Sequence, residues 1–327
     1  MNRSRLLFYI IVLLNSTGTF AQFPPPAGTP GTSAMYKDSS AFIGWASNCT
    51  IERGFINIAD TTMTYVGVNK ATYGSDLYAS GPADELVVSL GDHGTALLTF
   101  DSPIVNRPGS DFAIFENAFG DTFLELAFVE VSSDGQRFVR FPAVSLTQDS
   151  IQIPTFGTLD ATKINNLAGK YRLTYGTPFD LEDIKDSTGI DLNNITRIRI
   201  VDAVGCIKSP FVSFDSQGHK VNDPWPTPFD TGGFDLDAVG VIHNAADVNP
   251  LTGIGIFPNP VVDYLTITSP HMDQLETKIT DPAGRVILRG VVDRKARFDL
   301  SAFASGFYVI TFTLKSGSST SKKIIKY

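Results

Sequence analysis

Apolar and polar residues alternate with a period of two through most of the chain, and turn residues interrupt the alternation every few positions. Thr196, Ile198 and Ile200 alternate with Arg197, Arg199 and Val201, which predicts a strand with one apolar and one largely charged face. Leu86–Leu90, the turn Gly91-Asp92-His93-Gly94 and Thr95–Phe100 read as a hairpin. Leu126–Ser132, the turn Ser133-Asp134-Gly135-Gln136 and Arg137–Phe141 read as a second. Phe112–Phe115 and Phe234–Ile242 are further strands, the latter closing the central region. Helical spacing is confined to two short patches, Ser39–Ser47 and Leu181–Lys185. The pattern predicts an all-β chain: a jelly-roll-like β-sandwich, then a smaller Ig-like β-sandwich.

The ends of the chain read differently. Arg3 and Arg5 precede the unbroken apolar run Leu6–Leu14, which is too short to span a bilayer, and Thr19 and Ala21 are small. Residues 1–21 are therefore expected to be a signal peptide handled by the Sec pathway, with cleavage between Ala21 and Gln22. No transmembrane segment is expected in the mature chain. Residues 22–33 form a Pro/Gly-rich linker, 34–244 the central domain, 245–253 a second linker and 254–327 the final module. Charge supports the second boundary. Residues 251–327 carry ten Lys/Arg against six acids, whereas the whole chain has a net charge of −8.

The final module opens with Pro258-Asn259-Pro260, turns at Gly284, continues through Gly306-Phe307-Tyr308 and closes on Lys322-Lys323-Ile324-Ile325-Lys326. These blocks, in this order, resemble the C-terminal sorting domain of type IX secretion substrates of Bacteroidetes-type bacteria. The resemblance implies passage across the outer membrane, recognition by the type IX export machinery, and attachment to surface lipopolysaccharide where the tail is exchanged for an anchor. In the central domain, Val129–Phe138 is similar to a hairpin of galactose-binding-like domains. The set Gly44-Trp45, Ser110–Asn117, Asn222–Pro226 and Gly232–Asp237 resembles a family of bacterial cell-surface proteins of unsettled function. The destination implied is the outer surface or the medium.

Composition narrows the function. Aromatics at 11% with charged residues at only 18% suit a β-rich globular chain. The acidic balance argues against a sequence-independent nucleic-acid binder, which needs cationic groups for phosphates. No Gly-x-Ser-x-Gly, His-Glu-x-x-His, Walker or Cys-x-x-Cys pattern occurs.

Glu116, Glu125, Glu130 and Asp111 lie on or beside strands. Paired carboxylates across a cleft are what a glycosidase needs, and Glu116 and Glu130 are the candidates for that role. Solvated or backbone-bonded acids are the plainer reading, so an enzyme is the second expectation rather than the first. Asp111, Glu116, Asp235 and Asp237 offer hard oxygen ligands for a calcium ion, against the alternative that Asp235 and Asp237 pair with Arg197 or Arg199. Trp225, held between two prolines, and Trp45, Tyr73 and Tyr78 in turn-rich stretches can stack on a planar ligand or sugar face, or plug the sandwich ends. Cys49 and Cys206 are the only cysteines, and export would allow them to form a disulfide. These residues predict non-catalytic binding of an extracellular ligand, a glycan first. A glycan hydrolase, a surface adhesion protein and capture of a corrinoid-like nutrient cofactor are the alternatives.

Overall fold

A computed structural model describes residues 23–245, 253–269, 274–315 and 319–327. The expected signal peptide with Ala21 and Gln22, most of the 245–253 linker and His271 lie outside these residues. The chain divides after His243 into two compact units.

The first unit holds β1 (Met35–Tyr36), β2 (Gly44–Trp45), β3 (Asn48–Glu52), β4 (Val88–Ser89), β5 (Thr95–Ile104), β6 (Phe112–Glu116), β7 (Ala127–Ser132), β8 (Val139–Arg140), β9 (Val144–Ser145), β10 (Ile164–Asn165), β11 (Tyr175–Phe179), β12 (Ile195–Asp202) and β13 (Asp235–Val241). One sheet runs β1-β11-β6-β13-β2, with β4 also paired to β13; the other runs β3-β5-β12-β7-β8. All these pairings are antiparallel. The chain changes sheet between β2 and β3, β3 and β4, β4 and β5, β5 and β6, β6 and β7, β11 and β12, and β12 and β13, which makes the two sheets a sandwich rather than two hairpin stacks.

The predicted alternation holds on β12: Ile198 and Ile200 are fully buried, while Arg197 and Arg199 on the other face are half-buried. Ile198 and Ile200 meet Ile114, Leu236 and Val239 of the opposite sheet in one core cluster. Phe112 and Phe179 stack at 5.4 Å with Phe141 edge-on to both, filling the same core. The hairpin β7–β8 and the closing strand β13 are as predicted.

Other expectations are corrected. Leu86–Leu90 and Thr95–Phe100 do not pair. β4 joins β13 and β5 joins β3 and β12, so the Gly91–Gly94 turn carries the chain from one sheet to the other. Ser39–Ser47 is turn and β2 rather than helix, and Leu181–Ile184 is a single 3-10 turn capped by Asp180. Residues 23–33 are not a free linker: Phe23 N–H donates to Thr162 O, Arg172 Nη1 donates to Ala27 O, and Ala27 is buried.

Cys49 and Cys206 are both buried free thiols, so the expected disulfide is not formed. The register explains this. Cys49 faces Leu98, which faces Ile198, four residues before β12 ends at Asp202. That is about 13 Å of strand, and Cys206 lies beyond the end, whereas a disulfide needs Cα atoms within about 7 Å. Cys206 sits instead among loops where Gln152 clamps Gly205 O and Ile207 N–H.

The second unit contains β14 (Gly255–Phe257), β15 (Tyr264–Thr268), β16 (Leu275–Thr280), β17 (Val286–Val292), β18 (Lys295–Asp299), β19 (Gly306–Thr313) and β20 (Ser319–Lys326). They form antiparallel sheets β14-β15-β18 and β17-β16-β19-β20 around their own core, the small sandwich expected from the sequence. Asn259 stitches the opening block to the closing one. Its Oδ1 accepts Ile325 N–H at 2.9 Å and its Nδ2 donates to Lys323 O at 3.0 Å. Pro258 and Pro260 flank it, and Val261 N–H donates to Ile325 O. Gly284 (φ 78°) completes a turn organised by Asp281, and Tyr308 Oη donates to Ala304 O, pinning the entry to β19 whose first residue is Gly306. Lys326 is buried at the end of β20.

Candidate functional site

At one end of the first sandwich, β6 finishes at Glu116 opposite Leu236, near the start of β13, while β7 begins at Ala127 opposite the last residue of β12, Asp202. Four loops extend from this end, following β3, following β6, following β9 and preceding β13. They enclose a cleft of about 350 Å³. Its rim is aromatic. Phe119 stacks on Phe123 at 6.0 Å, Phe123 meets Phe156 at 6.2 Å, and Phe156 stacks on Phe229 at 6.1 Å. Phe119 and Phe156 are 82% and 75% exposed, an arrangement that water alone disfavours. Tyr73, Asn117, Thr155, Thr227 and Thr231 supply polar atoms around the rings.

Two carboxyl groups also line the cleft, Glu125 and Asp235, and both are buried. Burial drives Glu125 well above the usual carboxylate range, and the neighbouring Asp235 and Glu116 carboxyls push it the same way. Burial raises Asp235 to about 7 even though Ser89 Oγ donates to it and Arg53 lies near. Glu125 is held by a close backbone approach. Gly169 has φ 80°, and a Cβ there would lie 1.8 Å from Glu125 O. More buried acids sit behind the cleft. Asp202 is pushed up to about 8, and Glu116 and Asp223 well above normal, by burial first and by a neighbouring carboxyl second: Asp92 for Asp202, Asp235 for Glu116 and Asp202 for Asp223. At neutral pH the cleft therefore presents protonated or half-protonated carboxyls, which donate as well as accept hydrogen bonds.

The expected site residues separate. Tyr73 lines this cleft. Trp45 does not: it packs on Phe42 and Phe115 in a small core cluster. Trp225 is tucked in, its indole N–H donating to Asp92 Oδ2 at 3.0 Å. Tyr78 lies on an exposed 3-10 turn away from the lining. Glu116 stands behind the cleft with its carboxylate accepting Ala118 N–H, and Glu130 is on the other sheet, ion-paired to Arg140 and Arg199, so the expected pairing of these two is not made.

The proposed calcium ligands are not brought together either. Asp111 accepts Arg107 N–H, Leu181 N–H and His243 Nδ1–H; Asp237 accepts Asp84 and Glu85 N–H; Asp235 pairs with Ser89. Among the described residues no three His, Cys, Asp or Glu side chains are arranged to hold a metal ion, so these four do not fit a calcium site. Arg199 is spent on Glu130 rather than on Asp235 or Asp237. The rim is made of phenylalanines rather than the Trp and Tyr residues expected to stack, and its exposure is set by tertiary structure. The available signal was Phe119 and Phe123 inside the polar loop Asn117-Ala118-Phe119-Gly120-Asp121-Thr122-Phe123.

Residues 255–327 match the secretion system C-terminal sorting domain, so the second unit is a type IX sorting tail and this is an exported protein. No curated protein sequence matches the chain. Among solved structures, a β-glucuronidase from Ruminococcus gnavus in complex with D-glucaro 1,5-lactone is 8% identical, with 72% of this chain and 36% of that chain covered and a TM-score of 0.20. The same enzyme with uronic deoxynojirimycin is 9% identical over 85% and 45%, with a TM-score of 0.21. The chain spans less than half of those structures, and a likeness this low carries no argument. Among the described residues no helix is long and apolar enough to cross a membrane.

Proposed function

We propose that the first unit binds an extracellular saccharide without turning it over, and that the sorting tail delivers it to the outer surface, where exchange of the tail for lipopolysaccharide anchors it. The observation that supports this most is the ring ledge Phe119–Phe123–Phe156–Phe229, with Phe119 and Phe156 exposed and Phe123 and Phe229 half-buried, beside two buried carboxyls. The C–H face of a pyranose gains apolar contact on such rings at little entropic cost, because they are already held by one another. Glu125 and Asp235 then exchange hydrogen bonds with hydroxyl groups, acting as donors where protonated and as acceptors otherwise.

The test is a thermal-shift and calorimetric panel of neutral and acidic surface and dietary oligosaccharides on the purified protein, with corrinoids and a chelator alongside. A saccharide hit that Phe156→Ala weakens at least tenfold, with the unfolding midpoint unchanged, is expected. A hit indifferent to Phe156→Ala overturns the ledge. A panel that is flat for saccharides, with folding confirmed, sinks the saccharide reading and leaves adhesion or cofactor capture.

A second reading is favoured by one observation: two carboxyls, Glu125 and Asp235, line the same cleft, and burial raises both above the usual carboxylate range. A pair of carboxyls at one site is what glycoside hydrolysis uses, Glu125 donating a proton to the leaving oxygen and Asp235 acting as base or nucleophile. Glu125→Gln decides between the readings. Loss of turnover with binding intact makes the cleft an active site, and absence of turnover in the unmodified protein leaves it a binding site.

A further inference from the structure

The five-stranded sheet has a second cleft on its outward face, of about 530 Å³, unrelated to the phenylalanine ledge. Its floor is a row that crosses all five strands. Thr50 faces Leu97, Leu97 faces Arg199, Arg199 faces Glu130, and Glu130 faces Arg140. Period-two alternation places the row outward, because Ile198 and Ile200 on either side of Arg199 are fully buried in the core. Two arginines therefore flank one glutamate on a solvent-facing sheet, inside a concavity.

The three side chains are locked together. Arg140 Nε donates to Glu130 Oε1 at 2.8 Å with its Nη2 also on Oε1, and Arg199 Nε donates to Glu130 Oε2 at 2.7 Å with its Nη2 also on Oε2. Each guanidinium lies over an aromatic ring, Arg140 4.3 Å from Phe128 and Arg199 3.9 Å from Phe138. Glu130 is 9% exposed, but the arginines remain 43% and 37% exposed. Among the described residues neither Nη1 has a hydrogen-bond partner. An ion-pair row built only for stability has no need to leave two oriented, unengaged guanidinium edges facing a cleft.

We propose that this face is a second binding site, for an anionic ligand whose oxyanion bridges Nη1 of Arg199 and Nη1 of Arg140. The Nε and Nη2 edge of each guanidinium is taken by Glu130, so a ligand oxyanion is offered one Nη1 group from each arginine, a pair of charge-assisted N–H donors that a carboxylate can accept with its two oxygens. Thr95 and Gln136 beside the row supply hydroxyl and amide partners for the rest of the ligand. Glu52 also lines the cleft, from the neighbouring row Glu52–Thr95–Val201, and Glu130 is wholly committed to the arginines, so the lining carries two positive and two negative side chains. Anion selection therefore comes from the positions of the two free edges rather than from net charge. In an exported protein the chemical class this fits is an acidic saccharide, carrying a uronate carboxylate.

The experiment uses the purified full chain and titrates trigalacturonate, its methyl ester and a sulfated disaccharide by calorimetry at low and high salt. Trigalacturonate is expected to bind, with the affinity falling as salt rises. The neutral ester is expected to bind at least tenfold more weakly. Arg199→Lys and Arg140→Gln are each expected to lose tenfold or more at a temperature where tryptophan fluorescence shows the variant still folded, although unpairing Glu130 lowers the unfolding midpoint; Phe156→Ala leaves this binding intact and so separates it from the ledge. Binding of the sulfated sugar with the same arginine dependence supports the oxyanion site and replaces the carboxylate by a sulfate ester. Equal affinity for acid and ester, indifference to both arginine variants, or no binding of either anion at millimolar concentration overturns the proposal.

Discussion

Asp202 offers the sharpest physical test of the buried acids. It is 4% exposed, and its two oxygens accept Phe234 N–H and His93 N–H, both at 2.9 Å. Burial, then the nearby Asp92, raises its pKa from 3.8 to about 8. In the unfolded chain the group ionises near its ordinary value; in the folded chain it stays protonated. Between these two values the folded state holds the extra proton, so stability falls as pH rises, by about 1.4 kcal/mol per unit. From pH 5 to pH 8 the group alone removes up to about 4 kcal/mol, or roughly 10 °C of melting temperature for a domain of this size. Asp202→Asn abolishes that slope. It also turns an amide N–H₂ toward one of the two backbone donors, which costs about 1–2 kcal/mol at every pH. At pH 5 the parent already carries about 2 kcal/mol of the proton-linked cost, so the variant is expected to melt close to the parent at pH 5 and well above it at pH 8. Both tryptophans, Trp45 and Trp225, belong to the first unit, so their fluorescence reports its unfolding without interference from the tail. Melting curves that run parallel from pH 5 to pH 8, or a parent that becomes more stable over that range, would refute the protonated-acid account.

Other outcomes follow from local geometry. Phe119→Ala and Phe156→Ala remove rings that are 82% and 75% exposed, so each is expected to change stability by about 0.5 kcal/mol or less in urea titrations; a loss above about 2 kcal/mol would make the ledge a structural plug. Gly169→Ala forces a Cβ to 1.8 Å from Glu125 O at φ 80°, and a destabilisation of about 3 kcal/mol or more is expected by the same titration. Burial pushes the Cys49 thiol up to about 12. A thiol reagent at pH 8 should find no reactive group in the folded protein and two after denaturation, whereas a count of zero after denaturation would reveal a disulfide. Asn259→Ala removes the bonds to Ile325 N–H and Lys323 O, about 1–2 kcal/mol of tail stability, and should lower the exported fraction measured in the medium and on the cell surface.

What the sequence disclosed depended on how local the cause was. The strand face of Ile198 and Ile200 against Arg197 and Arg199 is a period-two signal contained in eight residues, and β12 has the burial it predicts. The β7–β8 hairpin has a turn motif next to its strands, and it forms. The Gly91–Gly94 turn carries equally good hairpin residues, yet it crosses between sheets. β4 is claimed by β13, some 145 residues downstream, and nothing in the turn encodes that partner. The tail was legible because its signals are local blocks, and the structure gives Asn259 a task that explains why its block must accompany the closing strand.

The candidate cleft was only half legible, for a related reason. Glu125 and Asp235 are 110 residues apart, and Phe119, Phe156 and Phe229 come from three loops; only tertiary structure makes them neighbours. These residues depart from the usual distribution of rings and acids. Elsewhere phenylalanines such as Phe112 and Phe179 are buried, and acids such as Asp121 and Glu182 meet arginine or lysine at the surface. At this end of the sandwich the relation is inverted: rings face water while Glu116, Glu125, Asp202, Asp223 and Asp235 are enclosed. Burying five acids together opposes folding, and exposing a ledge of phenylalanines forgoes the stability their burial would add. A chain that keeps both departures within one cleft, and uses Gly169 to hold Glu125 in place, bears those costs where a ligand would relieve them. A saccharide would cover the rings and give hydroxyl partners to Glu125, whose carboxyl, unlike those of Glu116, Asp202, Asp223 and Asp235, makes no hydrogen bond among the described residues.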